Sequence, residues 1–226
     1  MLDKVKELVY ELLKNDNSGH GIDHIERVLN LSLKFCEEEK GNIEKTILIA
    51  LLHDVDDYKL FGKDNAGNLT NAKIILDEIS IEETLKEEVL NEIKCIGFNK
   101  RLKGLIPNSL EGKIVSDADM CDALGVTGIL RTYKYSLKHN KPFFDKNIFP
   151  IENINSSNYN RVCSGTSVCH IFEKILKLKG LILTESGLKE ARIREKIVID
   201  ILYNLFYEEN SKEWKEYLDN YLLKKK

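Results

Sequence analysis

The chain has 226 residues, with 34 basic and 37 acidic side chains and a formal net charge of -3. Hydrophobic residues make up 42% and charged residues 31%, the balance of an ordinary globular protein and not of a disordered or fibrous one. The slightly acidic total offers no cationic surface for a polyanion, so a nucleic-acid polymer is not an expected partner.

In chain order, the opening MLDKVKELVYELLKN mixes charges among its apolar residues. It reads as an amphipathic helix over about residues 2 to 14, lacking the unbroken apolar run of a signal peptide or membrane span. A cytoplasmic location with no membrane partner is the expectation. A second amphipathic helix starts near Ile22 and lines Ile25, Val28, Leu29, Ser32, Phe35 and Cys36 along one face. The segment IEKTILIALLHDV differs, because Ile47 through Leu52 is apolar on every side, the mark of a helix buried all round.

Next comes a polar loop containing Gly62, Gly67 and Asn68, then a helix to about Glu78. Ser80 and Glu83 have the S-x-x-E spacing of a capping box for a further helix. After Pro107 a long helix is predicted from about Ser109 to Lys138, with Gly125 and Gly128 as points of bending or division. Residues 139 to 160, with two prolines and many asparagines, read as a long surface loop, and two or three helices close the chain over about 164 to 222.

The expected fold class is therefore all-α, as one domain with its core in about residues 1 to 138 and additional C-terminal helices. Lys224, Lys225 and Lys226 read as a solvated, frayed end. The five cysteines, Cys36, Cys95, Cys121, Cys163 and Cys169, are scattered and form no CxxC pair, so they are expected to be small buried or semi-buried thiols.

Chemistry concentrates at three places. His53 and Asp54 close the most apolar helix, where an ionised carboxylate is costly without a compensating partner such as a bound cation. His24 lies on an earlier helix with Arg27 one turn on, and Asp119 lies far downstream beside Asp117 and Asp122. Convergence of these helices would assemble imidazoles and carboxylates into a mixed set suited to a first-row divalent ion.

These residues carry a family resemblance. HIERV (24 to 28), ALLHDVDDYK (50 to 59) and DADMCDALG (117 to 125) resemble the ordered H…HD…D signature of HD-domain phosphohydrolases, and the late CHIFEKILKLKGLILTESG is similar to the small bacterial members. The resemblance spans most of the chain and implies a compact helical HD-domain bundle. It carries the metal positions onto His24, His53, Asp54 and Asp119, with Asp117 as the rival for the fourth place. No histidine occurs from 55 to 138, where two-metal members add theirs, so one divalent metal ion is expected, from among Mn, Fe, Co, Ni, Zn and Mg.

The resemblance also assigns Asp57, three residues after Asp54, as the group that exchanges a proton. A helix continuing past the HD pair would bring Asp57 onto the face of the ligands. Lys59 and Arg27 are candidates for phosphate contact, and Arg27 is alternatively the partner of a ligand carboxylate. Asp122 is expected either to orient a ligand or to touch substrate. In HIFEKILKLK, His170 and Lys174 share a helical face, which makes Lys174 a further substrate candidate.

The expected activity is hydrolysis of a small phosphorylated metabolite, of nucleotide type by resemblance, through metal-activated water. The alternative is a helical regulatory module that binds a metal or nucleotide without turnover. Cyclic-nucleotide cleavage and oxygenation are disfavoured by the missing extra histidines.

Overall fold

The computed structural model describes residues 1–16, 21–151 and 165–225, and among them it is all-α with no strand. The chain divides into two compact units, one formed by residues 1–122 with 180–190, the other by 123–179 with 191–226.

The first unit contains α1 (Leu2–Leu13), α2 (Ile22–Glu39), α3 (Ile43–Leu52), α4 (Tyr58–Asn68), α5 (Thr70–Glu78), α6 (Glu83–Ile93), α7 (Phe98–Leu102) and α8 (Leu110–Asp122). Its centre is α3, whose Leu48, Ile49, Ala50, Leu51 and Leu52 are all buried, as the all-round apolar run requires. Asn42 starts this helix by accepting the Lys45 N–H at 3.0 Å. The expected apolar face of α2, from Ile25 to Cys36, is buried in full. That helix packs against both α3 and α8, and this three-helix contact places the HIERV, HD and DAD segments together.

Three local expectations differ from the structure. The polar stretch with Gly62 and Gly67 is helical, as α4, interrupted only at Gly62 with φ of 83°, a left-handed conformation that glycine adopts without steric cost. The S-x-x-E capping box does not form: Ser80 turns left-handed at φ 52° as α5 ends, and α6 begins only at Glu83, after an N-cap Glu82 whose side chain makes no cap bond. The long helix after Pro107 is two helices, because Gly125 takes φ of 75° and separates α8 from α9 (Gly125–Lys138).

The second unit also holds α10 (Ser167–Glu173), a 3₁₀ segment (Ile175–Leu181) whose last residues return to the first unit, and most of α11 (Glu185–Glu208), followed by α12 (Lys212–Lys224). Its core is aromatic: Trp214 is buried, with Phe149 stacked on it at 4.5 Å and Phe144, Phe172 and Phe206 around it. The segment 139–151 is non-helical, as expected for the loop, and is tied down where Trp214 Nε1–H donates to the Lys146 carbonyl at 3.0 Å. The remainder of that loop, 152–160, and Cys163 lie outside the described residues. Of the other four cysteines, Cys36, Cys121 and Cys169 are buried and Cys95 is half-buried. At the C-terminal end Lys225 is not merely solvated, since its amine meets Glu195 at 3.0 Å and the Leu176 carbonyl.

Candidate metal centre

The centre is built from one helix end and two helix faces. α3 stops at Leu52, and residues 53 to 56 form tight turns in which Asp57 N–H donates to the Asp54 carbonyl at 3.1 Å. Leaving the helix here directs His53 and Asp54 toward α2 and α8. His53 is anchored through Nδ1, which lies 2.8 Å from the Ala50 carbonyl. A peptide carbonyl only accepts, so the ring proton sits on Nδ1 and Nε2 presents its lone pair.

His24 is buried on α2 and held the same way by a different partner, with Nδ1 2.7 Å from Asp122 Oδ2. Its Nε2 therefore also presents a lone pair, 3.3 Å from His53 Nε2. Two carboxylate oxygens join them: Asp54 Oδ2 is 3.4 Å and Asp119 Oδ1 3.5 Å from His24 Nε2. Asp54 Oδ2 is 3.9 Å from His53 Nε2.

Electron pairs from two imidazoles and two carboxylates thus point into one small volume, an arrangement that repels itself unless a cation is shared. The spacing fits one. Ligands bound at ~2.0–2.2 Å to a common ion sit ~3.0–3.4 Å apart in octahedral or tetrahedral geometry. The donor atoms of His24, His53 and Asp119 all lie within 4.8 Å of one another, so the cluster can hold a metal after small adjustments.

The aspartates of the two motifs take separate tasks. In DVDD, Asp54 faces the cluster, while buried Asp56 accepts the Asn71 and Ala72 N–H groups, each at 2.9 Å, at the start of α5. Burial pushes the Asp56 carboxyl up, opposed by those two bonds. Asn71 Nδ2 returns a bond to the Val55 carbonyl at 2.7 Å, so α5 braces the HD turn. Asp57 caps α4, accepting the Lys59 N–H at 2.9 Å. The helix does not run on past the HD pair, so Asp57 is held near the turn by a cap and not by helical phase. Lys59 is exposed, with its amine 5.9 Å from the Tyr58 ring centre.

In DADMCD, Asp117 turns away from the cluster. It is fully buried and accepts the Leu183 and Thr184 N–H groups and the Thr184 hydroxyl, at 2.7 to 3.0 Å. Desolvation raises its carboxyl to about 6 against these bonds and the Arg101 charge. Gly187 packs so closely on it that a Cβ there would lie 2.8 Å from the Asp117 carboxylate. Asp122 is fully buried behind His24, bound by Arg27 through Nε at 2.6 Å and Nη2 at 3.2 Å. Of its two expected roles the burial supports orientation and not substrate contact, and Arg27 is likewise spent on the ligand-side carboxylate. Lys174 belongs to the second unit, where its N–H closes α10 on the His170 carbonyl at 2.9 Å.

Sequence reasoning had no signal for Asp56 as the brace of the HD turn. A D-x-D-D run does not say which carboxylate faces which way, because the turn that sorts them is irregular.

Residues 21–124 match the HD domain family. The chain is similar to YpgQ of Bacillus subtilis, with 26% identity over 90% of this chain and 91% of that one. Among solved structures it resembles a Lactobacillus plantarum protein (29% identity, TM-score 0.78, covering 95% of this chain and 97% of that one). It also resembles an HD-superfamily hydrolase of Bacillus thuringiensis (31% identity, TM-score 0.72, covering 93% and 97%). No helix among the described residues is long and apolar enough to cross a membrane.

Proposed function

Because the chain belongs to the HD-domain superfamily and has the fold of its hydrolases, we propose that it is a metal-dependent phosphohydrolase of small phosphorylated metabolites, of nucleotide type. The observation that carries this reading is the meeting of His24 Nε2, His53 Nε2, Asp54 Oδ2 and Asp119 Oδ1, a donor set that suits one divalent transition ion. When bound, such an ion supplies an activated water and neutralises charge on phosphoryl oxygens. Nucleotide specificity draws support from YpgQ, which has been crystallised in complex with ADP.

In this reading the chain's own residues do the rest. His24 and His53 offer fixed lone pairs, and Asp54 and Asp119 supply negative charge. Asp57, held at the edge of the HD turn as the cap of α4, exchanges the proton that hydrolysis must move. Lys59, two residues on, offers a cation to the phosphate.

The test is to strip the protein of metal, restore Mn, Co, Ni, Zn or Mg singly, and assay a panel of nucleoside mono-, di- and triphosphates for released phosphate or pyrophosphate. Metal-dependent release from at least one is expected. Metal uptake with no turnover across the panel would favour the regulatory module instead.

Asp57→Asn separates chemistry from folding, because asparagine is as good a helix N-cap as aspartate but cannot exchange a proton. Metal retained at the wild-type level with turnover lowered about 10²–10⁴-fold is the expected outcome. Elemental analysis and the phosphate assay on one preparation decide it, and near-normal turnover would reject Asp57 as the proton-exchanging group.

A further inference from the structure

We propose that Asp122, clamped by Arg27, is a positioning residue that sets the tautomer and ring orientation of His24 and so governs metal affinity. The proposal rests on the metal-site reading above and adds a group that never touches the ion.

The geometry is specific. His24 and Arg27 lie one turn apart on α2, and Asp119 and Asp122 lie one turn apart on α8. The packed faces meet so that a single imidazole is gripped at both nitrogens: Nε2 is 3.5 Å from Asp119 and Nδ1 is 2.7 Å from Asp122. An ionised carboxylate only accepts, so contact with Asp122 keeps the ring proton on Nδ1 and the lone pair on Nε2, aimed at the cluster. A rotated or tautomerised ring would turn an N–H toward the ion instead.

Asp122 is fully buried, and a carboxylate there needs a compensating charge. Arg27 supplies it as a two-pronged fork, at 2.6 Å and 3.2 Å. The two imidazoles are therefore not equivalent. His53 is backed by a neutral peptide carbonyl, whereas His24 is backed by an anion, which makes its Nε2 the more basic donor. The H-x-x-R and D-x-x-D spacings place both pairs one turn apart on their helices, which permits this contact.

The experiment titrates Co²⁺ into the metal-free full chain and records visible absorption, for wild type, Asp122→Asn and Arg27→Gln, with thermal melts of each metal-free protein. Asp122→Asn keeps the shape and removes the charge. Its Co²⁺ affinity is expected to fall about 10–100-fold, with a changed absorption envelope. Arg27→Gln, at a partly exposed side chain, is expected to weaken Co²⁺ in the same direction by a smaller factor, and it carries the test if Asp122→Asn fails to fold. A lowered melting temperature with wild-type Co²⁺ affinity and spectrum would make the pair merely structural and overturn the proposal. Failure of the metal-site reading looks different: wild type itself would take up no Co²⁺, or His24→Ala would take it up as well as wild type.

Discussion

Asp119→Ala is expected to empty the metal centre and to lower hydrolysis by about a thousandfold, while leaving the helical fold intact. The side chain is partly exposed and lies 3.5 Å from His24 Nε2, so its removal opens no core cavity. It removes one of two negative charges from a cluster whose imidazoles are already fixed through their other nitrogens. A metal that contributes several kcal/mol of charge stabilisation corresponds to rates changed by about 10³-fold when it is lost. Elemental analysis after dialysis, read beside turnover, checks both halves. Full metal content in the variant would show that the fourth ligand has been misassigned.

Asp117→Ala is expected to do the opposite, costing stability and sparing the metal. The removed carboxylate leaves the Leu183 and Thr184 N–H groups and the Thr184 hydroxyl without this acceptor, with Thr184 buried and Leu183 half-buried. A buried unsatisfied group costs roughly 1–3 kcal/mol, so with the two donors of buried Thr184 left without this acceptor a loss of about 2–6 kcal/mol is expected in denaturant unfolding. The sign of its pH dependence follows from burial. The carboxyl rises to about 6 in the folded chain from an ordinary 3.8, so the folded state holds the proton more tightly. That contribution is fully present below about 3.8 and is lost as pH rises through about 6. The stability gap between wild type and Asp117→Ala should therefore narrow between pH 4 and pH 7. A variant that unfolds like wild type but binds no metal would exchange the roles of Asp117 and Asp119.

These two variants also mark how much of the centre was legible beforehand. Asp117 and Asp119, two residues apart on a helix, point about 200° apart, so only one could face the cluster, whichever it was. The family resemblance selects Asp119, but the physical reason lies in what each side of α8 meets: His24 on one, and the 183–184 backbone on the other. The same holds for Asp57, whose expected helical phase disappears because α3 ends at Leu52 and the chain turns.

By itself the sequence determined the elements whose signal is local and periodic. The all-round apolar run of α3 had to be central, and the amphipathic face of α2 had to pack, because burying those side chains is the main stabilising term of a helical core. The ordered His, His-Asp and Asp segments likewise determined which side chains were available for the proposed metal chemistry. Tertiary structure decided everything that depends on a backbone leaving its regular path or on a partner distant in sequence. Left-handed residues at Ser80 and Gly125 ended helices where composition alone allowed them to start or continue. Asp56 found the N–H groups of α5, Asp117 those of residues 183 and 184, and Asp122 the His24 ring and Arg27 fork. The physical reason is the same in each case: a buried carboxylate must find donors, and which donors lie within reach is set by how helices far apart in the chain pack.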